Sequence, residues 1–152
     1  MDSKGNINHA TFTYNSGTFI GAADWLYNLT GDKRYLAEAC KAADFVIDHL
    51  STNGGVPSDA THGDGGLFHG IFFRYLAQLT LDPAVEQAAR TRYKEYLYRC
   101  AETLSTEGLN PSTNMYGGQW HKPAKGSVCL TPHLTGCMLM EAAAKVSRES
   151  NE

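Results

Sequence analysis

The sequence is short of charge. Asp, Glu, Lys and Arg make up 19% of it, against roughly a quarter in ordinary globular chains. Neither sign dominates: the net charge is −3 and no basic stripe runs along any segment, which argues against a nucleic-acid partner. No apolar run approaches the ~20 residues that a membrane-spanning helix needs. The first residues, Met1 to Asn6, are polar, so no signal peptide is read there. The four cysteines (Cys40, Cys100, Cys129 and Cys137) form no CxxC pair and no finger spacing, so zinc is not expected. Cys40, Cys100 and Cys137 fall on apolar helix faces, where thiols act as small buried hydrophobes; the alternative is a disulfide.

What is present is apolar and aromatic. Apolar residues reach 42%, with 15 Gly, 8 Tyr and 6 Phe in 152 residues. This length suits one domain, or a piece of one. An aromatic-rich chain of low charge points to extensive burial or to an uncharged ligand.

Apolar periodicity predicts five helices and no convincing strand. The first runs from Gly17 to Leu29 on Phe19, Ala22, Ala23 and Leu26, after an irregular segment 1–16. Thr30-Gly31-Asp32 ends it: Gly31 suits a left-handed C′ position, and Asp32 can cap a second helix that reaches about Leu50. A Gly-rich loop, Ser51 to Gly66, leads to a third helix from Leu67 to Leu81. Asp82-Pro83 reads as a cap and N1 proline for a fourth, ending near Leu104. A second Gly-rich loop, 105–130, precedes a fifth helix from His133 to Ser147, capped by Thr131-Pro132. The order is short turn, long loop, short turn, long loop, helix. That pattern fits an all-α toroid of α-hairpin repeats, with the long loops at one end. Helices one, three and five line its inside, and the incomplete ring leaves apolar edges exposed.

Certain residues support a specific comparison. Thr13-Tyr14-Asn15-Ser16-Gly17-Thr18-Phe19-Ile20-Gly21, followed by Leu26-Tyr27-Asn28-Leu29-Thr30-Gly31-Asp32 and Tyr35-Leu36, resembles glycoside hydrolase family 76, the α-1,6-mannanase family. Asp64-Gly65-Gly66-Leu67-Phe68-His69-Gly70 with the following Arg74 is similar to that family's Asp-x-x-x-Phe-Lys-Gly segment. The Trp120 loop and the Thr131 helix resemble its last segment. The resemblance covers about residues 10–147. It implies an (α/α)6 barrel, of which residues 1–152 would be a single domain forming the C-terminal portion. It implies hydrolysis of α-1,6-mannan with retention at the anomeric carbon, and a secreted, periplasmic or cell-surface parent protein. The family places catalysis on a consecutive Asp-Asp pair, and no Asp-Asp occurs in this sequence. Ser16 also stands where Gln is common, and His69 where Lys is usual.

Glycoside hydrolysis takes two carboxyls, about 5 Å apart for retention. Asp24, Asp44 and Asp48 lie within helices and read as solvated or capping charges. Asp59 and Asp64 lie in the first long loop, at the presumed open end. Asp64 is a candidate sugar-binding carboxylate, or a cap for the third helix. Tyr14 and Asn15 offer a phenol and an amide for sugar hydroxyls, with the alternative that Asn15 or Ser16 caps the first helix. His69 is a candidate ligand contact, and Arg74 a partner for a buried carboxylate. Trp120 offers a stacking platform or a lid on the core. No catalytic residue is assigned within the chain, and no cofactor is expected. His62, His69, His121 and His133 lack metal-binding spacing, and a calcium loop starting at Asp59 fails at its twelfth position, Gly70. The expected partner is mannan or a related glycan, with self-association through the exposed edges. The rival readings are a non-catalytic glycan-binding or helical interaction module, and a helical scaffold without a sugar ligand.

Overall fold

The computed structural model describes residues 5, 10–52, 54–59 and 62–149. Five helices carry the fold: α1 (Thr13–Thr30), α2 (Lys33–His49), α3 (Phe68–Leu81), α4 (Gln87–Thr103) and α5 (Leu130–Glu149). A 3-10 turn, Gly63–Leu67, leads into α3, and a π-turn, Leu104–Gly108, ends α4. Helices α1, α3 and α5 pack side by side as one layer, with α2 behind α1 and α4 behind α3 and α5. The result is a two-layer arc. The turns between α1 and α2 and between α3 and α4 are short, whereas both long loops emerge at the opposite helix ends. Among the described residues no helix is long and apolar enough to cross a membrane.

The α1–α2 turn follows its sequence. Gly31 takes a left-handed conformation (φ 70°) and its N–H donates to Tyr27 O. Asp32 then caps α2 by accepting from Arg34 N–H at 3.0 Å. Elsewhere the expected boundaries move. α1 begins at Thr13, not Gly17: Phe12 precedes it in extended backbone with no side-chain cap, and Asn15 N–H donates to Phe12 O. Asn15 and Ser16 therefore sit in the first turn and cap nothing. Asp82 ends α3, and its Oδ1 accepts from Ala84 N–H at 2.7 Å. The chain turns there so that Val85 enters the core, and α4 starts only at Gln87. α5 begins at Leu130, ahead of the expected His133.

The buried side of α1 also differs from the expected stripe. Thr13, Gly17, Ile20, Gly21, Ala23 and Asp24 face inward. Phe19 and Leu26 are 50% and 41% exposed. Small and polar residues make this helix's close contact, and of the expected stripe only Ala23 is buried. A methyl group on Gly17 would lie 2.7 Å from Phe72 Cα, so the two backbones nearly touch there. In α5 the inward residues are Pro132, Thr135, Gly136, Leu139, Ala142 and Val146, while Leu134 and Cys137 face outward. All four cysteines are free thiols, and only Cys100 is fully buried.

The core centres on Phe72, Phe73, Leu76 and Leu79 of α3, Tyr93, Tyr96 and Leu97 of α4, and Val46 of α2. Its phenols are satisfied: Tyr93 Oη donates to Cys40 O at 3.2 Å, and Tyr96 Oη lies 2.9 Å from Ser51 Oγ. Arg92 of α4 pairs with Asp44 at 2.7 Å and also with Asp48 of α2. These two aspartates are thus ion-paired rather than simply solvated. The second long loop contains a small antiparallel hairpin, β1 (Leu109–Asn110) with β2 (Met115–Tyr116). Asn110 closes its turn by accepting from Ser112 and Thr113 N–H. That side-chain turn carries no apolar alternation, which is why the pairing escapes a periodicity search.

Candidate functional site

The long-loop end is built around His69, the second residue of α3. It is 7% exposed. Its Nε2 lies 2.9 Å from Ser58 O, which only accepts, so this nitrogen carries the ring proton. Nδ1 then accepts from Thr13 Oγ1 at 2.9 Å. Burial holds the imidazole below its ordinary range, against the opposing pull of the Ser58 carbonyl. The ring is a neutral bolt between the start of α1, the start of α3 and the first long loop.

Trp120 reinforces the same point. Its indole N–H donates to Ser58 O at 3.2 Å, and its backbone N–H donates to Asp59 Oδ1 at 3.2 Å. Gln119 Nε2 reaches Asp59 Oδ2 at 3.4 Å. The indole packs edge-on to Phe73 and is 4% exposed. Trp120 and His69 therefore bind the two long loops to each other and to α3, and neither ring offers a free face. Asp59 has both oxygens committed to the Trp120 loop.

Tyr14, Asn15 and Asp64 lie nearer the solvent. Tyr14 is half-buried; its ring centroid is 4.4 Å from that of Phe68 and 6.1 Å from that of Phe12. Phe12 meets Phe68 edge-on at 5.3 Å. Asn15 is exposed one residue further along α1. Asp64 is exposed in the 3-10 turn and makes no side-chain cap there or on α3. Sequence reasoning missed Phe12 and Phe68 as site residues because they read as ordinary apolar positions. The signal was local: an aromatic on each side of two helix starts.

Two recesses open beside this cluster. One, about 430 Å³, is lined by Phe12, Thr13, His49, Asp59, Phe68 and His69 among others. The second, about 400 Å³, lies between the loops and includes Asp59, His62, Gln119, Lys122, Lys125 and Cys129. Apolar ring faces with polar side chains beside them, as in the first recess, suit a polyhydroxylated ligand. Arg74 is exposed and makes no pair with a buried carboxylate; it borders a separate recess with Gln78, Glu141 and Lys145. The buried carboxylate, Asp24, is met by Gln78 instead. Among the described residues no group of three His, Cys, Asp or Glu side chains gathers as a metal centre would.

The family model for glycosyl hydrolase family 76 matches residues 1–149. Among solved structures, the GH76A alpha-1,6-mannanase from Salegentibacter sp. HEL1_6 is 41% identical, with a TM-score of 0.86 over 91% of this chain and 41% of its own. An inactive variant of that enzyme, with two consecutive aspartates replaced by alanine, was solved with alpha-1,6-mannotetrose; it is 42% identical, with a TM-score of 0.86 over 90% of this chain and 40% of its own. The Lin0763 protein from Listeria innocua is 31% identical, with a TM-score of 0.80 over 91% and 38%. No curated protein matches significantly. This chain thus spans about two fifths of the length of the structures it resembles. The hairpin arc, the helix starts and the matched residues agree: the chain belongs to glycosyl hydrolase family 76.

Proposed function

We propose that this chain forms the C-terminal, substrate-lining portion of a family 76 (α/α)6 barrel that hydrolyses α-1,6-linked mannan with retention. One observation carries the reading. Over 90% of its length the chain matches a mannanase whose variant lacking two consecutive aspartates is inactive yet holds a mannotetraose. In a retaining reaction one carboxylate attacks the anomeric carbon while the other protonates the leaving oxygen; water then releases the sugar. This sequence has no consecutive aspartates, so both groups come from outside it. Its own contribution is to bind and orient. The Tyr14–Phe68–Phe12 aromatics offer ring faces for the apolar side of a mannose, and Asn15 and Asp64 offer hydrogen bonds to hydroxyls. His69 and Trp120 act one step removed, by fixing the loops that shape the cleft.

The purified chain is expected to show no turnover of α-1,6-mannan. Robust hydrolysis by the 152-residue polypeptide would overturn the incomplete-site reading. The missing aspartate pair also favours a second reading, a non-catalytic glycan-binding module. Titration calorimetry with α-1,6-mannotetraose separates the two. Binding by the chain alone supports a module, whereas binding and turnover only after supply of the remaining barrel supports a part of an enzyme. In whichever form binds, Tyr14→Ala and Phe68→Ala should each weaken binding about tenfold, roughly 1.4 kcal/mol.

A further inference from the structure

Further along α1, a buried carboxylate has one oxygen unaccounted for. Asp24 is 2% exposed. Its Oδ2 accepts from Gln78 Nε2 at 2.6 Å, but Oδ1 is buried with no hydrogen-bond donor. An unsatisfied buried charge is costly, so a second group is needed there. One candidate on the same recess is another carboxyl. Asp82, at the end of α3, borders the same recess as Asp24 and favours its protonated form. Two carboxylates in contact are both acceptors and repel; one bound proton turns the pair into donor and acceptor.

We propose that Asp24 and Asp82 hold one proton between them, as an acid–carboxylate pair that ties α1 to the end of α3 and loosens when the proton leaves. The surroundings support a proton. Tyr27 and Asn28 of α1, Gln78 of α3, and Lys145 and Glu149 of α5 line the same solvent-open recess, about 400 Å³. Cys40 of α2 is close enough to feel the charge of both aspartates. Among the described residues lining that recess Lys145 is the one cation, and Glu149 opposes it. Burial is the largest influence raising the Asp24 proton affinity; Gln78 opposes it and Asp82 adds to it. Asp24 therefore keeps its proton above 3.8, the ordinary value for an aspartate. The sign follows from linkage. The stabilisation is fully present below the unfolded value and is lost as pH rises through the folded one.

The test compares urea unfolding of the full chain with Asp24→Asn and Asp82→Asn between pH 4 and 8. Asparagine carries its donor permanently. The folding equilibrium of wild type should fall about tenfold relative to Asp24→Asn as pH rises, and Asp82→Asn should make that fall shallower without abolishing it, because the burial of Asp24 remains. Parallel pH profiles for wild type and Asp24→Asn would overturn the proposal. So would a rise in wild-type stability on adding calcium at neutral pH that Asp24→Asn lacks, because the pair would then hold a cation. Should Asp24→Asn not fold, carbon-13 NMR of the wild-type Asp24 carboxyl decides. A midpoint above the ordinary aspartate value that drops in Asp82→Asn supports the shared proton; one at or below that value, or one that Asp82→Asn leaves in place, rejects it.

Discussion

His69 is where single-residue chemistry matters most. Both of its nitrogens are engaged, and burial lowers its proton affinity. Unfolded histidine takes a proton near 6.5, the folded ring only at lower pH. Stability from this residue is therefore complete above that value and drains away as pH falls below it. His69→Gln keeps a donor, should remove this part of the acid sensitivity, and should cost about 1–3 kcal/mol through the partner left unsatisfied; denaturant unfolding at several pH values checks both. Trp120→Ala should cost about 3–5 kcal/mol, because a large ring leaves a cavity against Phe73. The cysteines divide by environment. Thr131, Gly63 and His62 stabilise the exposed Cys129 thiolate and bring it down to about 7, whereas burial pushes Cys100 up to about 12. Iodoacetamide at neutral pH should label Cys129 long before Cys100, with peptide mass spectrometry as the readout.

Among the elements, the α1–α3 seam is the most constrained. Gly17 lets the two backbones meet, and the atom a methyl would strike is Phe72 Cα, which cannot swing aside. Gly17→Ala should destabilise by about 1–3 kcal/mol, visible in thermal unfolding. The same seam explains what could be read from the sequence. The short α1–α2 turn was legible because Gly31 and Asp32 act through local backbone chemistry. The cores of α2 and α4 were legible because apolar spacing and burial coincide at Leu36, Ala39 and Ala43, and at Tyr93, Tyr96 and Leu97. The seat of α1 was not, because its contact uses Thr13, Gly17 and Asp24, which carry no hydrophobic signal. The tie between the long loops was hidden for another reason. It runs through the Ser58 carbonyl, and every residue has a carbonyl.

At the scale of the whole molecule, the described residues leave large apolar side chains exposed on both α1 and α5. Phe19, Trp25, Leu26 and Leu29 of α1 are all more than 40% exposed, and Leu130 and Leu134 are exposed on α5, across α3 from α1. A surface of this kind seeks cover. Under the barrel reading it would meet the remaining helices; for the isolated chain we propose that it is where copies associate. Sedimentation velocity should show concentration-dependent oligomers of the chain, and Leu26→Glu with Phe19→Glu should return it to monomer. Unchanged sedimentation would mean that this stripe tolerates water.

Two buried side chains, His69 and Trp120, dock on the same peptide oxygen, that of Ser58. The Ser58 side chain itself is exposed and takes no part in these bonds. Position 58 is thus anonymous in identity but strict in place. Most residues should substitute there at little cost, while removing a single residue from the stretch before it would carry the carbonyl out of reach of both rings. For this loop, length rather than spelling is the quantity to keep.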